Sequence, residues 1–244
     1  MKKKIRIYSD RGVSLFSLNC LMNELTSLDL GVDTISSKQV IEENWQDSTS
    51  IFIMPGGSDL LYLRKLKNEG CERIKKFVED GGSYLGICAG AYFGSEYVEF
   101  EKGNDLEVLG KRELNFVKAK AIGPAYKKPK FSYENHKGSK AVPLEYESED
   151  SFQYLSSVYF KGGCYFEGDN QLDIIGRYSD LNLAAIVRAK IKKGRAILSG
   201  VHIECSSNDI FDMDEKLSLM KKEIKKTENI RKKIFLDILD KLHN

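Results

Sequence analysis

Residues 83–95 read SYLGICAGAYFGS, an apolar run that leads into a cysteine with a glycine two positions to either side. The apolar residues predict a buried strand, and the pattern Gly86-x-Cys88-x-Gly90 is typical of a sharp turn from a strand into a helix. Small residues are needed there because the backbone is strained and the helix passes close by. Such a turn would point the Cys88 sulfur out of the sheet, where a helix N-terminus favours a thiolate. The motif is also compatible with a small buried cysteine, so both interpretations stay open.

Strands and helices alternate on the N-terminal side of this turn. Apolar runs predict strands at residues 4–8 and 50–54, and helical spacing predicts helices at about 14–28, 58–66 and 72–79. This alternation predicts an α/β protein with a mostly parallel sheet and helices on both faces. In such sheets, ligands bind beyond the carboxyl ends of the strands.

The pattern is less regular between residues 96 and 165 and becomes regular again after that. Strands are predicted at residues 141–144, 157–160, 172–178, 184–189 and 195–201, and residues 212–242 have the apolar spacing of a helix. No internal repeat and no linker rich in Pro, Gly or Ser divides the chain. We therefore expect one domain over residues 1–244, with a C-terminal helical extension from about residue 212.

Charge and composition limit the classes of molecule that the chain is expected to bind. The 244 residues carry 38 basic and 36 acidic side chains, so the net charge of +2 provides no strong attraction to nucleic acid or to an anionic membrane. No run approaches the roughly 20 apolar residues that span a bilayer, and the start, MKKKIRIY, is interpreted as a strand rather than a signal peptide. A small-molecule substrate or a protein partner is more compatible with this balance.

The five cysteines are widely scattered, at positions 20, 71, 88, 164 and 205. Their spacing predicts neither a disulfide framework nor a metal site. Unpaired thiols are typical of a reducing compartment, so we expect a cytoplasmic location. Cys20, Cys71 and Cys205 are expected to serve packing. Gly163 and Cys164 lie between aromatic residues and are candidates for the wall of a substrate pocket.

A thiol nucleophile needs a base, and His202 is the histidine best placed to serve. It directly follows the predicted strand 195–201, which would fix it beside Cys88 at a carboxyl end of the sheet, whereas His136 lies in a polar run. Glu204 could accept the imidazole N–H and set the tautomer, as the third member of a nucleophile, base and acid set does. By itself a His-x-Glu pair is also compatible with a surface histidine.

Acyl chemistry also needs donors for a developing oxyanion. The turn Pro55-Gly56-Gly57 follows a predicted strand and could present the N–H of Gly57, and the N–H of Ala89 could supply a second donor. An ordinary glycine turn before the next helix is the alternative. Gly56 and Tyr92 are further candidates for the substrate pocket.

The order of these motifs along the chain resembles the class I glutamine amidotransferase-like fold. The sequence is more closely similar to the N-terminal amidotransferase-like domain of eukaryotic-type biotin protein ligases and to its stand-alone bacterial forms. The similar segments are PGGSDLLYLRKL (55–66), GGSYLGICAGAYFGSEYVEFE (81–101), LEVLGKRELNF (106–116), GPAY (123–126), FKGGCYFEG (160–168) and RAILSGVHIE (195–204). The resemblance implies a flavodoxin-like three-layer α/β/α fold and a catalytic triad of Cys88, His202 and Glu204. It also implies an oxyanion hole at Gly57 and Ala89.

Two departures from the family bear on the substrate. Glutamine-hydrolysing relatives carry Gln in the pattern G-x-C-x-G-x-Q, where this chain has Tyr92, so glutamine is an unsafe expectation. The chain also lacks a biotinyl-adenylate loop and a G-x-x-x-x-G-K motif, so it is not expected to ligate biotin itself or to need a cofactor. The sequence contains no recognisable synthetase domain to receive ammonia.

Two functions of different classes follow from these observations. The favoured one is a cysteine hydrolase or amidotransferase-like enzyme, in which Cys88 attacks a small amide or acyl substrate and water resolves the acyl-enzyme. The alternative is a catalytically inactive binding or regulatory module of the same fold that acts with a biotin ligase, a carboxylase or a synthetase. A peptidase is a third candidate, because related folds use the same turn on peptide bonds.

Overall fold

Strands and helices alternate through the first part of the chain, and strands dominate the second. The computed structural model describes residues 3–211 and 213–243. The strands are β1 (Lys4–Tyr8), β2 (Val32–Ile35), β3 (Thr49–Met54), β4 (Ser83–Ile87), β5 (Ser95–Phe100), β6 (Val108–Lys111), β7 (Val117–Gly123), β8 (Lys140–Glu147), β9 (Gln153–Phe160), β10 (Tyr165–Gly168), β11 (Asp173–Tyr178), β12 (Leu183–Ile191) and β13 (Gly194–Ser199). The α-helices are α1 (Leu15–Ser27), α2 (Ser37–Glu42), α3 (Asp59–Glu79), α4 (Ala89–Gly94), α5 (Glu215–Lys226) and α6 (Glu228–His243).

Five parallel strands form one side of the sheet, in the order β2–β1–β3–β4–β13. We call these strands, with the turns that follow their carboxyl ends, the parallel half. Every residue of β4 is buried, as expected of a central parallel strand with an uninterrupted apolar sequence. Ile87 of β4 is in register with Ser199 of β13, so the two strands end side by side.

The sheet continues beyond β13 through mainly antiparallel pairs, in the order β12–β10–β7–β5–β6. The pair of β5 and β7 is parallel. A branch of β11, β8 and β9 joins the sheet through β12. We call residues 95–191 the antiparallel half. Its many hairpins are the main feature of the fold that the strand and helix pattern did not predict.

Helices cover both faces of the sheet and give the molecule three layers. On one face, α2, α3 and α4 enclose a buried cluster that includes Trp45 and Phe77. On the other face, α1 and α6 enclose a second cluster that includes Leu21 and Phe235. The prediction of an α/β fold with a flavodoxin-like α/β/α arrangement is therefore confirmed. No helix within the described ranges combines the length and the apolar character needed to cross a membrane.

Two predicted helices differ in detail from the structure. The segments predicted at 58–66 and 72–79 are one element, α3, kinked at Lys67, whose φ of 54° lies in the left-handed region. The predicted C-terminal helix is divided at Thr227 into α5 and α6, and residue 212, where it was predicted to begin, lies outside the described residues. Ile234 and Ile238 of α6 are fully buried against the sheet, so this helix contributes to the core.

Candidate active site

Cys88 lies at the carboxyl end of β4, on the turn into α4, with a strained φ of 51° and ψ of −105°. The turn depends on its two glycines. A Cβ on Gly90 would lie 2.0 Å from the carbonyl oxygen of Met54, and a Cβ on Gly86 would lie 2.4 Å from the carbonyl oxygen of Gly90. Cys88 is 7% exposed, and its thiol donates to the carbonyl oxygen of Lys161 at 3.5 Å. The sulfur therefore faces the antiparallel half.

His202 lies just beyond β13, next to Cys88. Its backbone N–H donates to the carbonyl oxygen of Tyr159 at 3.0 Å, which fixes the residue across the sheet. The Cys88 sulfur lies close enough to the imidazole to interact with it electrostatically, and both residues border the same cavity. On the other side of the ring, Nδ1 lies 2.8 Å from Oε1 of Glu204, which leaves Nε2 for the thiol. A Cβ on Gly56 would lie 2.7 Å from Cε1 of His202, so a glycine at this position makes room for the ring.

Glu204 is fully buried, and α1 holds it in place. The hydroxyl of Ser17 donates to Oε1 of Glu204 at 2.9 Å, and the N–H of Gly56 donates to Oγ of Ser17 at 3.0 Å. Oε2 has no hydrogen-bond partner among the described residues. Sequence reasoning missed Ser17, because it lies three positions after Ser14, the serine that caps α1, and carries no local signal of its own.

The charge state of the site is set by the groups around the imidazole. Burial lowers the pKa of His202, but the Glu204 carboxylate and the Cys88 sulfur outweigh burial and raise the pKa well above its usual value. In general, an imidazolium beside a cysteine sulfur favours nucleophilic chemistry at that sulfur. Elsewhere, burial raises the pKa of Cys71 to about 12 and that of Cys164 well above its usual value. Unlike Cys88, these two thiols do not border the cavity.

A group of possible metal ligands overlaps with these residues. Within the described part of the chain, ligand atoms of His202, Glu204 and Cys205 lie within 4.8 Å of one another. The imidazole and the carboxylate already share a hydrogen bond, and the Cys205 thiol donates to Sγ of Cys20 at 2.8 Å. A metal ion would have to displace both contacts, so the geometry fits hydrogen bonding better than metal binding.

The two residues predicted to donate to an oxyanion border the same cavity as the thiol. Gly57 has a φ of 150°, and a Cβ there would lie 2.0 Å from the carbonyl oxygen of Gly12, so this turn requires glycine. Ala89 directly follows Cys88 as the first residue of α4. Within residues 3–211 and 213–243, neither N–H donates a hydrogen bond to another protein group. Both donors are therefore free to bind a ligand.

The cavity that contains Cys88 and His202 has a volume of about 540 Å³. A cavity of this size suits a small molecule. Much of its wall is aromatic, formed by Phe16, Phe100, Phe131, Tyr133 and Tyr159. Lys161 and Asp59 also border it, and the Asp59 carboxylate is ion-paired with Arg112 at 2.6 Å.

Tyr92, a candidate for the substrate pocket, borders the cavity. Its hydroxyl donates to the carbonyl oxygen of Gly162 at 3.0 Å, which ties α4 to the loop after β9. A Cβ on Gly123 would lie 1.7 Å from that hydroxyl, so a glycine there is needed to accommodate the ring. Tyr92 is thus a fixed part of the wall.

The other three predicted pocket residues are not among those that border the cavity. Gly56 packs against the imidazole of His202. Gly163 is in close contact with the backbone of Gly200, whose carbonyl oxygen would lie 1.7 Å from an added Cβ. Cys164 is fully buried, and its carbonyl oxygen accepts a hydrogen bond from a tyrosine hydroxyl. These residues therefore act on the site only through the side chains and backbone that they contact.

Comparisons with known proteins agree on family and fold. The family model described as biotin-protein ligase, N terminal, matches residues 3–243. An uncharacterized protein from Chlamydia muridarum is 36% identical over 212 residues, which cover 83% of this chain and 80% of that protein. A biotin–protein ligase from Schizosaccharomyces pombe is 33% identical over 231 residues, which cover 88% of this chain but 36% of the ligase. The chain thus spans little more than a third of that ligase's length.

A solved structure shows the same fold. The crystal structure of a glutamine amidotransferase from Thermotoga maritima superposes with a TM-score of 0.64 and covers 100% of this chain and 99% of its own. The two sequences are 12% identical, so this likeness concerns the fold alone.

Proposed function

The chain belongs to the family of the biotin-protein ligase N-terminal domain, and we propose that it is a cysteine-dependent amide hydrolase or amidotransferase-like enzyme. The observation that carries the proposal is that Cys88 and His202 border one cavity and interact electrostatically, with Glu204 hydrogen-bonded to the imidazole behind them. Burying an imidazole and a carboxylate is costly, and a cysteine that only fills space needs neither. The arrangement therefore supports nucleophilic chemistry on a small amide or acyl substrate.

Cys88 is the nucleophile in this proposal. With the proton on His202, the thiolate attacks the carbonyl carbon of the substrate and forms a C–S bond, while the π electrons of the carbonyl move onto its oxygen. The N–H groups of Gly57 and Ala89 donate hydrogen bonds to this oxyanion. They are suited to that task because neither is engaged by a protein acceptor among the described residues.

His202 then serves as an acid and afterwards as a base. Its Nε2 gives its proton to the leaving nitrogen as the C–N bond breaks, which releases ammonia or an amine and leaves a thioester on Cys88. The neutral ring next takes a proton from water, which attacks the thioester. The C–S bond breaks, and a carboxylic acid leaves. Glu204, held by Ser17, keeps the proton of the neutral ring on Nδ1 throughout.

Amide hydrolysis with a matched pair of cysteine variants tests the proposal. A panel of small amides, glutamine included, is incubated with wild type, Cys88→Ala and Cys71→Ala, and the release of ammonia or amine is measured. Cys71 is the control because it is a buried thiol in α3, away from the cavity. We expect Cys88→Ala to lose roughly a thousandfold or more of the activity and Cys71→Ala to retain it. Equal activity of the three proteins would contradict the proposal.

Selective alkylation tests the nucleophile without knowledge of the substrate. Iodoacetamide at pH 7 is expected to modify Cys88 faster than the other four cysteines, because the raised pKa of His202 keeps an imidazolium beside its sulfur. Mass spectrometry of the digested protein gives the rate at each cysteine. Equally slow labelling of all five would contradict the catalytic proposal.

A regulatory module is the second candidate function. It is favoured by one observation: the matched region makes up 36% of the fission yeast biotin–protein ligase, so the relative carries this domain within a larger ligase. In this proposal the chain binds a biotin ligase, or a carboxylase or synthetase that works with one, and Cys88 has no catalytic task. Titration calorimetry with the purified ligase of the same organism tests it, and Cys88→Ala should bind as wild type does.

A further inference from the structure

Lys161 borders the cavity beside the thiol and brings a cationic ammonium group to its wall. Its backbone is fixed at the nucleophile, because its carbonyl oxygen accepts the hydrogen bond of Cys88. Its ammonium group lies 5.8 Å from the centroid of the Phe131 ring, on the aromatic wall. The side chain is thus positioned in the space that a substrate of Cys88 would occupy.

Lys161 has no ion-pair partner among the residues that the structure describes. Within the described ranges, no Asp or Glu oxygen lies within 4.0 Å of the Lys161 ammonium. The carboxylate that borders the cavity, Asp59, is held by two contacts with Arg112, at 2.6 and 2.7 Å. Burial keeps water from the ammonium group and lowers the pKa of Lys161, and the Cys88 sulfur partly counteracts this effect. An anionic ligand would supply the counter-charge that the protein omits.

We propose that Lys161 binds a carboxylate of the substrate, and that the substrates are small amides with a carboxylate at one end and an apolar segment along the aromatic wall. This inference rests on the proposed function of Cys88 and adds the chemical class of its substrate. The Asp59 carboxylate is ion-paired with Arg112, and within the described ranges no carboxylate pairs with Lys161, so its charge faces the cavity without a protein counter-ion. A half-buried, unpaired charge of this kind selects for the opposite charge.

Two alkylating agents that differ in charge test this proposal on one sulfur. Iodoacetate carries a carboxylate and iodoacetamide a neutral amide, and both form the same C–S bond with loss of iodide. The ratio of their rate constants at Cys88 therefore reports anion selection, while the iodoacetamide rate alone reports thiol reactivity. We expect Lys161→Met to lower the ratio by about tenfold and Lys161→Arg to keep most of it. In wild type, 0.5 M sodium chloride should lower the ratio as well, at roughly the strength where the Debye length falls below 5 Å.

Lys118→Met is the matched control, because it removes the same charge from an exposed position on β7, outside the cavity. Its ratio should equal that of wild type. Thermal melting checks that each variant is folded, and the Lys161→Arg variant separates loss of charge from loss of shape. An unchanged ratio in folded Lys161→Met, or an equal fall in Lys118→Met, would overturn the proposal.

The two proposals fail in different ways. If iodoacetamide modifies Cys88 no faster than the other cysteines, the catalytic proposal is contradicted. The ratio can still be measured at higher pH and longer times, and its response to Lys161→Met then decides whether the cavity selects anions.

Discussion

The parallel half and the antiparallel half meet at the cavity, but they contribute different things to it. The parallel half supplies Cys88, His202 and the turn at Gly57, and it holds them through backbone contacts that leave no space for an added atom. The antiparallel half supplies much of the aromatic wall and Lys161, on strands and loops with exposed side chains such as Tyr133. One half thus carries the groups of the proposed reaction, and the other faces the substrate. Mutations in the two halves should therefore separate reactivity from selectivity.

The largest effect is expected from Gly90→Ala, in the turn of the parallel half. The new Cβ would lie 2.0 Å from the carbonyl oxygen of Met54, so the backbone would have to move. We expect a loss of about 3 kcal/mol in the free energy of unfolding, measured by urea denaturation. Gly31→Ala is the control, because its Cβ would meet only Cγ of Lys4 at 3.7 Å, and it should cost far less. Equal costs at the two positions would show that the turn is not tightly packed.

The substitution His202→Gln should slow alkylation of Cys88 by about a hundredfold at pH 7. The pKa of His202 is raised, so in wild type the imidazolium persists through neutral pH and the rate should vary little there. In His202→Gln no imidazolium supports the thiolate, so the rate should rise steeply as the pH increases. His136→Gln is the matched control in the antiparallel half, because His136 also borders the cavity, and its pH profile should follow wild type. Similar pH profiles of the alkylation rate for both variants would contradict the assignment of reactivity to the parallel half.

A smaller effect is expected from Ser17→Ala. The change removes the hydroxyl that donates to Glu204 and leaves the N–H of Gly56 without its acceptor. We expect alkylation of Cys88 to slow by about three- to tenfold, because the carboxylate positions His202 less well. The pH at which the rate changes should shift in the same variant, which a purely structural role would not produce. Ser50→Ala, which removes an exposed hydroxyl on β3, should match wild type in both measurements.

The smallest effect on reactivity is expected from Tyr133→Ala, on the aromatic wall. Tyr133 is 52% exposed, and its ring lies 4.7 Å from that of Phe131. Iodoacetamide should react with Cys88 of the variant at a rate within about twofold of wild type. The rate with bulky N-phenyl iodoacetamide, divided by the rate with iodoacetamide, should change by about threefold. Tyr154→Ala is the control, since that ring packs on Phe152 outside the cavity. A large loss of iodoacetamide reactivity in Tyr133→Ala would show that the wall also supports the chemistry.

The same two halves differ in how far their structure could be predicted from the sequence. In the parallel half, uninterrupted apolar runs and glycine turns are local signals, and residues 83–87 form a strand as predicted. The likeness to biotin-protein ligase N-terminal domains reinforced them, and the positions it implied for Cys88, His202 and Glu204 do meet in space. These local signals are informative because a strand that is buried on both faces consists almost entirely of apolar residues.

The antiparallel half gave weaker signals, because its strands alternate between buried and exposed residues and are joined by polar loops. The structure has strands at β5, β6, β7 and β10 where the sequence pattern was irregular. The side chains that contact each other there come from distant positions, so neither Lys161 nor the Ser17 contact with Glu204 could be recognised from local spacing. Contacts of this kind depend on tertiary packing and become visible only in the folded chain.

The residues of the site come from distant parts of the chain, and this has a consequence for the synthesis of the protein. Ser17 and Glu204 are 187 positions apart in the chain, and yet they share a hydrogen bond. A ribosome-bound chain that already contains Cys88 has neither its base nor the carboxylate behind it until residues 202–204 emerge. Because such long-range contacts form late in folding, the nascent chain carries an unassisted thiol, and the complete site arises only after residues 202–204 have been made.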